Sequence, residues 1–366
     1  MNKLADLLDR LSQPGSLYSV EEHGEVRCSA CAHRCRLKPG QRGVCKVRHN
    51  REGVLLVPWG YVAGAQVDPI EKKPFTHFLP GANAMTFGML GCNFHCAFCQ
   101  NWVSSQALRD PISSASIHSI SEVSAENLVR YAVHNGAQVM ASSYNEPLIT
   151  TEWALEIFSK AKGAGLKCVY VSNGFATSEA LDALKPYLDG FKVDLKCMNE
   201  VHYRELGGKL SAVLDAIQMA HQAGMWVEVV TLVIPNYNDS NEELWDTARA
   251  IMQVSRDIPW HVTAFHPDYK MEDRGATPPA TLLRAAEIGQ EAGLNYVYAG
   301  NLTGRVGSLE NTYCPSCGHL LVERVGYAIQ KYQISAGGTC SRCGTSIAGV
   351  WHKDPGQVNL RGWGIP

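Results

Sequence analysis

The residues of this chain best equipped for chemistry are cysteines. Cys92, Cys96 and Cys99 stand in the run Gly91-Cys92-Asn93-Phe94-His95-Cys96-Ala97-Phe98-Cys99-Gln100-Asn101, a C-x3-C-x2-C spacing. Three thiolates so close in sequence can hold three irons of a cubane iron–sulfur cluster on one loop. Such clusters ordinarily take four Cys ligands, so a three-Cys loop leaves one iron open to a ligand from outside the protein. The other use of this spacing is a zinc knuckle that borrows a distant fourth ligand, with His95 as a competing donor.

The chain has 13 cysteines in 366 residues. Cys28, Cys31, Cys35 and Cys45 form one further group, and Cys314, Cys317, Cys340 and Cys343 another; Cys168 and Cys197 stand alone and read as buried thiols. Short spacings and an odd total point to metal ligation rather than a disulfide framework. Cys314-Pro315-Ser316-Cys317-Gly318 and Cys340-Ser341-Arg342-Cys343-Gly344 are two C-x2-C-G knuckles of rubredoxin-like or zinc-ribbon type. Structural zinc is the plain expectation there, with an electron-relaying iron as the alternative. The N-terminal group, with His33 interleaved, suits zinc or an auxiliary [4Fe-4S] cluster, and zinc is the simpler expectation.

The elements that must position the central loop follow from the hydrophobic pattern. Strands are expected at Ala84–Leu90, Gln138–Ser142, Lys167–Ser172, Gly190–Leu195, Trp226–Ile234, His261–Phe265 and Asn295–Ala299. Helices are expected between them at Ala125–Asn135, Thr151–Gly163, Ser178–Tyr187, Lys209–Ala223, Ser240–Val254 and Pro279–Ala292. Ala-Gly pairs at Ala164-Gly165, Ala223-Gly224 and Ala292-Gly293 close helices just before strands. Regular alternation means a parallel sheet. Too few units are present for a full eightfold barrel, so the expected fold is α/β: a partial (β/α)6 TIM-like barrel over 84–300. A Cys-rich module over 1–83 precedes it, and a four-cysteine module over 301–366 follows. In such barrels chemistry gathers at the C-terminal strand ends, and the central loop follows the first strand directly.

A C-x3-C-x-aromatic-C loop after the first strand of a partial barrel, with Phe98 as the aromatic, resembles the radical SAM superfamily. The resemblance implies a [4Fe-4S] cluster on Cys92, Cys96 and Cys99 and S-adenosylmethionine on its open iron. Within the superfamily, Cys99-Gln100-Asn101, Ser172-Asn173-Gly174, Asp194-Leu195-Lys196 and Phe265-His266-Pro267 resemble the pyruvate formate-lyase activating enzyme branch. Over the whole chain, the Cys-rich ends and the Ile70-Glu71-Lys72-Lys73-Pro74 stretch are most similar to the radical SAM member of the AmmeMemoRadiSam system. The resemblance implies cofactor contacts at Phe98, Asn145 and Glu146, Ser172 and Asn173, Asp194 and Lys196, and His266. One position departs: Val171 stands where the activating enzymes tend to carry Asp.

The implied activity is reductive cleavage of S-adenosylmethionine to a 5'-deoxyadenosyl radical that abstracts hydrogen. The substrate is not legible. Activation of a glycyl-radical enzyme is one alternative, and a non-catalytic zinc scaffold is another. The implied partners are an external flavodoxin- or ferredoxin-type electron donor and the other AmmeMemoRadiSam proteins, including a Memo-like one. A formal net charge of -2 offers no nucleic-acid footprint. No apolar run approaches the roughly 20 residues needed to cross a bilayer, and the helical Leu4, Leu7, Leu8 and Leu11 are interrupted by Asp6, Asp9 and Arg10. The cytoplasm is the default expectation.

Overall fold

The structure, a computed structural model, describes residues 3–360; residues 1, 2 and 361–366, the extreme ends of the two expected outer modules, lie outside the described residues. Its centre is an eight-stranded sheet whose strands lie beside one another in chain order. They are β1 (Gly64–Pro69), β2 (Asn83–Gly88), β3 (Val139–Ser142), β4 (Lys167–Ser172), β5 (Gly190–Asp194), β6 (Trp226–Val233), β7 (Trp260–Ala264) and β8 (Val297–Gly300). Strands β2 to β8 are parallel, with Ser142 level with Phe87 and Ser172 level with Val193. The sheet therefore delivers the loops after β2, β3, β4 and β5 to one end. Its edges are β1 and β8, so it is open rather than closed on itself.

Strand β1 extends the sheet to the N-terminal side of residue 84, and it runs antiparallel, pairing Gly64 with Gly88. Its sequence, Gly-Ala-Gln-Val-Asp-Pro, alternates only two small apolar residues with polar ones, and the polar Asp68 is buried more deeply than Val67; pairing with buried β2 decides it.

The connecting helices are α1 (Ala125–His134), α2 (Thr151–Gly163), α3 (Ser178–Leu184), α4 (Leu210–Gln222), α5 (Asn241–Val254) and α6 (Pro279–Glu291). Side-chain caps start several of them: Ser124, Thr177 and Ser240 accept hydrogen bonds from the amides of Asn127, Ala180 and Glu243. Gly165, Gly224 and Gly293 end α2, α4 and α6 with φ of 81°, 85° and 98°, a left-handed backbone that glycine adopts at least cost. Helices and sheet bury a shared core in which Phe158 of α2 packs edge-on to Phe87 and against Tyr170. Truncating such a ring to Ala costs about 3–5 kcal/mol.

The N-terminal segment is built from short strands and the helix Lys3–Arg10, which buries Leu4 and Leu8. The C-terminal segment is an antiparallel sheet of Thr312–Tyr313, Leu320–Val325 and Ala328–Tyr332. It shares a small core with Tyr296 and Tyr298 at the β8 edge. Among the described residues no helix is long and apolar enough to cross a membrane.

Candidate active site

Strand β2 ends at Gly88, and the cysteine loop follows at the end of the sheet where β3, β4 and β5 also finish. The loop is stapled at its base, where Gly91 N–H donates to Ser104 O at 2.9 Å. Gly91 has a φ of 95°, and a side chain there would meet Val47 at 2.9 Å and Cys45 O at 3.0 Å. Glycine is required for both reasons. Arg109 donates to Phe94 O at 2.6 Å and to Val44 O, pinning the loop to the N-terminal segment.

The three thiols are set among donors. Phe94 N–H donates to Cys92 Sγ at 3.3 Å, and Cys99 Sγ lies 3.2 Å from Ser105 Oγ. Burial pushes the Cys92, Cys96 and Cys99 thiols up from their ordinary range, and the Lys196 ammonium pulls Cys96 and Cys99 back. A thiol that is costly to ionise alone is one that a positively charged metal centre stabilises.

Along β5, Lys192, Asp194 and Lys196 share a face at the strand period. Asp194 pairs with the buried Lys192 and, at 3.2 Å, with Lys196. Burial would raise the Asp194 carboxyl, but the two ammoniums outweigh it and hold it at about 2. Burial also opposes the charge on Lys196, but Asp194 and the thiols of Cys96 and Cys99 win and hold its pKa high. Tyr203, fully buried, accepts from Lys196 N–H at 3.1 Å and fixes the strand exit.

Glu146 is buried and held by three donors: Ser172 Oγ at 2.7 Å, Asn173 N–H at 2.8 Å and Leu148 N–H at 3.0 Å. Burial nevertheless raises its carboxyl to about 7. It ties the ends of β3 and β4 together below the loop. The residue before Asn145 and Glu146, Tyr144, has a φ of 70°, strained for an aromatic residue. Asn145 accepts from Met89 N–H at 2.9 Å, and Asn173 donates to Asn93 Oδ1 at 2.7 Å. These amides therefore brace the cysteine loop.

Phe98 is buried, edge-on to Tyr237, which itself stacks on His202 at 4.2 Å. His266 is exposed and reaches Gln100 at 3.0 Å. His95 is exposed and lies against Gly207.

All the sequence-nominated residues of strand ends β3, β4 and β5 thus gather around the loop, and His266 meets its far side. The sequence analysis did not nominate Lys192, which shares the strand face of Asp194 and Lys196. Tyr203 and Tyr237 carried no local signal.

The outer thiol groups differ from each other. Cys314 and Cys343 lie 3.6 Å apart, Cys317 and Cys340 3.8 Å apart, and all four sulfurs fall within 4.8 Å of one another. Gly318 and Gly344 each donate back to the first Cys of their knuckle at 2.9 Å. Cys28, Cys31 and Cys45 are buried and Cys35 partly so, against the base of the central loop. Cys168 and Cys197 are buried thiols. In the 70–74 stretch, Glu71 accepts from Gly81 N–H at 2.8 Å, and Lys73 reaches Asp68 at 3.2 Å beneath the Tyr144 ring.

The profile of the radical SAM superfamily matches residues 87–251, from the end of β2 into α5. An uncharacterized protein of Methanocaldococcus jannaschii is 37% identical over 309 residues, covering 84% of this chain and 90% of that one. Among solved structures, a domain of pyruvate-formate lyase-activating enzyme from Bacteroides vulgatus is 16% identical, covering 44% of this chain and 98% of that one with a TM-score of 0.40. Streptococcus suis SuiB is 15% identical, covering 63% of this chain and 52% of that one with a TM-score of 0.46.

Proposed function

We propose that this chain, which belongs to the radical SAM superfamily, holds a [4Fe-4S] cluster on Cys92, Cys96 and Cys99 and cleaves S-adenosylmethionine to abstract hydrogen from a substrate. When bound, the cluster and S-adenosylmethionine supply a 5'-deoxyadenosyl radical. The observation that carries the reading is the meeting of three thiols on one loop with the charged face of β5, where Lys196 acts on Cys96 and Cys99. That donor set fits the cofactor pair: soft thiolates for iron, and cations beside a carboxylate for the charged ends of the methionine moiety.

The chain's own residues bind, orient and exclude water. Lys192 and Lys196 keep Asp194 ionised, so the β5 face presents fixed charges of both signs. Glu146, Ser172 and Asn173 hold the strand ends rigid and, through Asn93, the loop itself. Phe98 and Tyr237 form an apolar wall next to the thiols. His266 and Gln100 mark the exposed side, from which a substrate would approach.

We place the chain in the AmmeMemoRadiSam group, because a Cys-rich N-terminus, the Ile70–Pro74 stretch and a C-terminal four-thiol knuckle accompany the barrel. On this reading its partners are the other proteins of that system, including a Memo-like one, and a flavodoxin- or ferredoxin-type electron donor. Val171 counts against a glycyl-radical activator. The C-terminal thiols hold zinc.

The test is anaerobic incubation of the reconstituted chain with reductant and S-adenosylmethionine. 5'-Deoxyadenosine is expected to form, and to take up deuterium when a deuterated true substrate is present. Changing Cys92, Cys96 and Cys99 to Ala is expected to abolish cleavage; cleavage that survives in that variant overturns the reading.

A further inference from the structure

Four thiols remain outside the proposed chemistry and yet lie against the loop that performs it. We propose that Cys28, Cys31, Cys35 and Cys45 hold a second, fully ligated iron–sulfur cluster rather than zinc. The spacing gives the first argument. Cys28-x2-Cys31-x3-Cys35 puts three thiols in one run, the reverse of the order in Cys92-x3-Cys96-x2-Cys99, and Cys45 supplies the fourth ligand that the central loop lacks. The C-terminal thiols instead come as two separate knuckles, the usual form for one zinc ion.

Geometry gives the second argument. Zn–S bonds of about 2.3 Å in a tetrahedron put thiolates about 3.8 Å apart, which is what the C-terminal pairs show at 3.6 and 3.8 Å. Among the described residues, the C-terminal four thiols are the Cys group that meets within 4.8 Å. The N-terminal thiols are not drawn together in this way. A side-chain carbon placed on Gly43 would touch two of them from between, 3.6 Å from Cys35 Sγ and 3.7 Å from Cys45 Sγ. Ligands that bind different irons of one cubane stand farther apart than ligands sharing a single ion.

Two buried donors beside these thiols give the third. Arg48 is 1% exposed, and its charge acts on Cys28, Cys35 and Cys45. Its two terminal nitrogens are taken by Glu152 and Ile149 O, and its Nε–H has no partner. Asn93, from the central loop, is fully buried; its Oδ1 is taken by Asn173, and its side-chain amide faces the Cys31 thiol. Buried N–H groups are costly to leave unmatched, and N–H donors to cluster sulfurs are a known means of tuning such a centre.

Placement completes the case. Asn93 sits between the two thiol sets, with Oδ1 3.7 Å from Cys92 Sγ and His33 hydrogen-bonded to its carbonyl at 3.0 Å. With every iron ligated by protein, the second cluster has no open position for a small molecule. Its chemistry is to carry one electron, gained from an external low-potential reductant that loses one.

The test is metal analysis of the full chain, purified and reconstituted anaerobically. The expected content is about eight iron and eight sulfide per chain. Changing Cys92, Cys96 and Cys99 to Ala should leave about half the iron, with an EPR signal in the reduced state that does not respond to S-adenosylmethionine. A Cys31→Ala, Cys35→Ala variant should lose that signal and keep one that responds. Two zinc ions per chain with about four iron, or a triple variant free of iron, would overturn the assignment. The stoichiometry of the unmodified chain decides this even where a variant fails to fold. The outcome is separate from the reading of the central loop, whose failure would appear as no response to S-adenosylmethionine in any form.

Discussion

The two outer four-thiol groups use the same residue in opposite settings. The C-terminal thiols lie on paired knuckles within 4.8 Å of each other, in a small antiparallel sheet at the β8 edge, with Cys343 exposed. The N-terminal thiols are not gathered so closely, are mostly buried, and are locked to the barrel by the Arg48–Glu152 ion pair at 2.6 and 2.7 Å. Neither Arg48 nor Glu152 reaches solvent, and Glu152 also accepts from Leu17 N–H at 3.1 Å. The contrast separates four thiols gathered closely enough to hold one metal ion within their own module from four that the barrel itself encloses. The C-terminal module attaches through neutral contacts and one cation: His352 to Pro80 O, His77 to Ala348 O, and Arg324 to Thr76 O.

The largest expected effect would come from Cys314→Ser together with Cys340→Ser. Structural zinc supplies about 10–16 kcal/mol of apparent binding energy in small zinc modules, so the double variant should lose hydrogen-exchange protection across 312–358. S-adenosylmethionine cleavage should persist. If cleavage disappears while the barrel stays protected, the separation of the two regions is broken.

Next is Arg48→Met, which strands a buried carboxylate. Removing one partner of such a pair costs about 3–5 kcal/mol, readable as a lower urea midpoint. Adding Glu152→Leu should recover part of it. A loss below about 1 kcal/mol, the range of exposed pairs, would mean that the ion pair does not lock the N-terminal segment.

The smallest effect concerns the C-terminal side. Glu71 is buried near Arg324, and burial raises its carboxyl from 4.5 to about 7. The folded chain then keeps a proton that the unfolded chain releases, so stability falls as pH rises from 4.5 to 7 and levels off above. Glu71→Gln should flatten part of that fall and stabilise the chain at pH 8 by about 3 kcal/mol at most. Glu146, raised by burial in the same way, keeps the remainder of the slope. Unchanged denaturation curves between pH 5 and 8 would show that Glu71 is charged in the folded chain.

The barrel was legible because its signals are local. The expected bounds of Lys167–Ser172 and Thr151–Gly163 are those observed, the other expected strands and helices differ only at their ends, and the short helices Trp102–Ser105 and Glu200–Glu205 were not expected. Alternating apolar runs and Ala-Gly stops fix such elements within a few residues of themselves. Strand β1 escaped because its pairing, not its composition, makes it a strand. The site was legible where it is a spacing, as in the three Cys of the loop, and where it is a strand face, as in Asp194 and Lys196. It was illegible where partners meet across the chain. Arg48 and Glu152 are 104 positions apart and Asn93 and Asn173 are 80, and no window of sequence joins them. Glu146 was nominated by its place at the end of β3; the three donors that hold it come from the β4 turn and from Leu148, and give it a bracing part that the motif alone did not convey.

The long reach of the Arg48–Glu152 pair has a consequence in time. Residues 28–48 leave the ribosome well before Glu152, which closes over them. At about 5–20 residues per second, that lag is roughly 5–20 s for the 104 positions between the pair. Until residue 152 has emerged, Arg48 has no carboxylate partner, so the ion pair that fastens the N-terminal segment to the barrel forms late in synthesis.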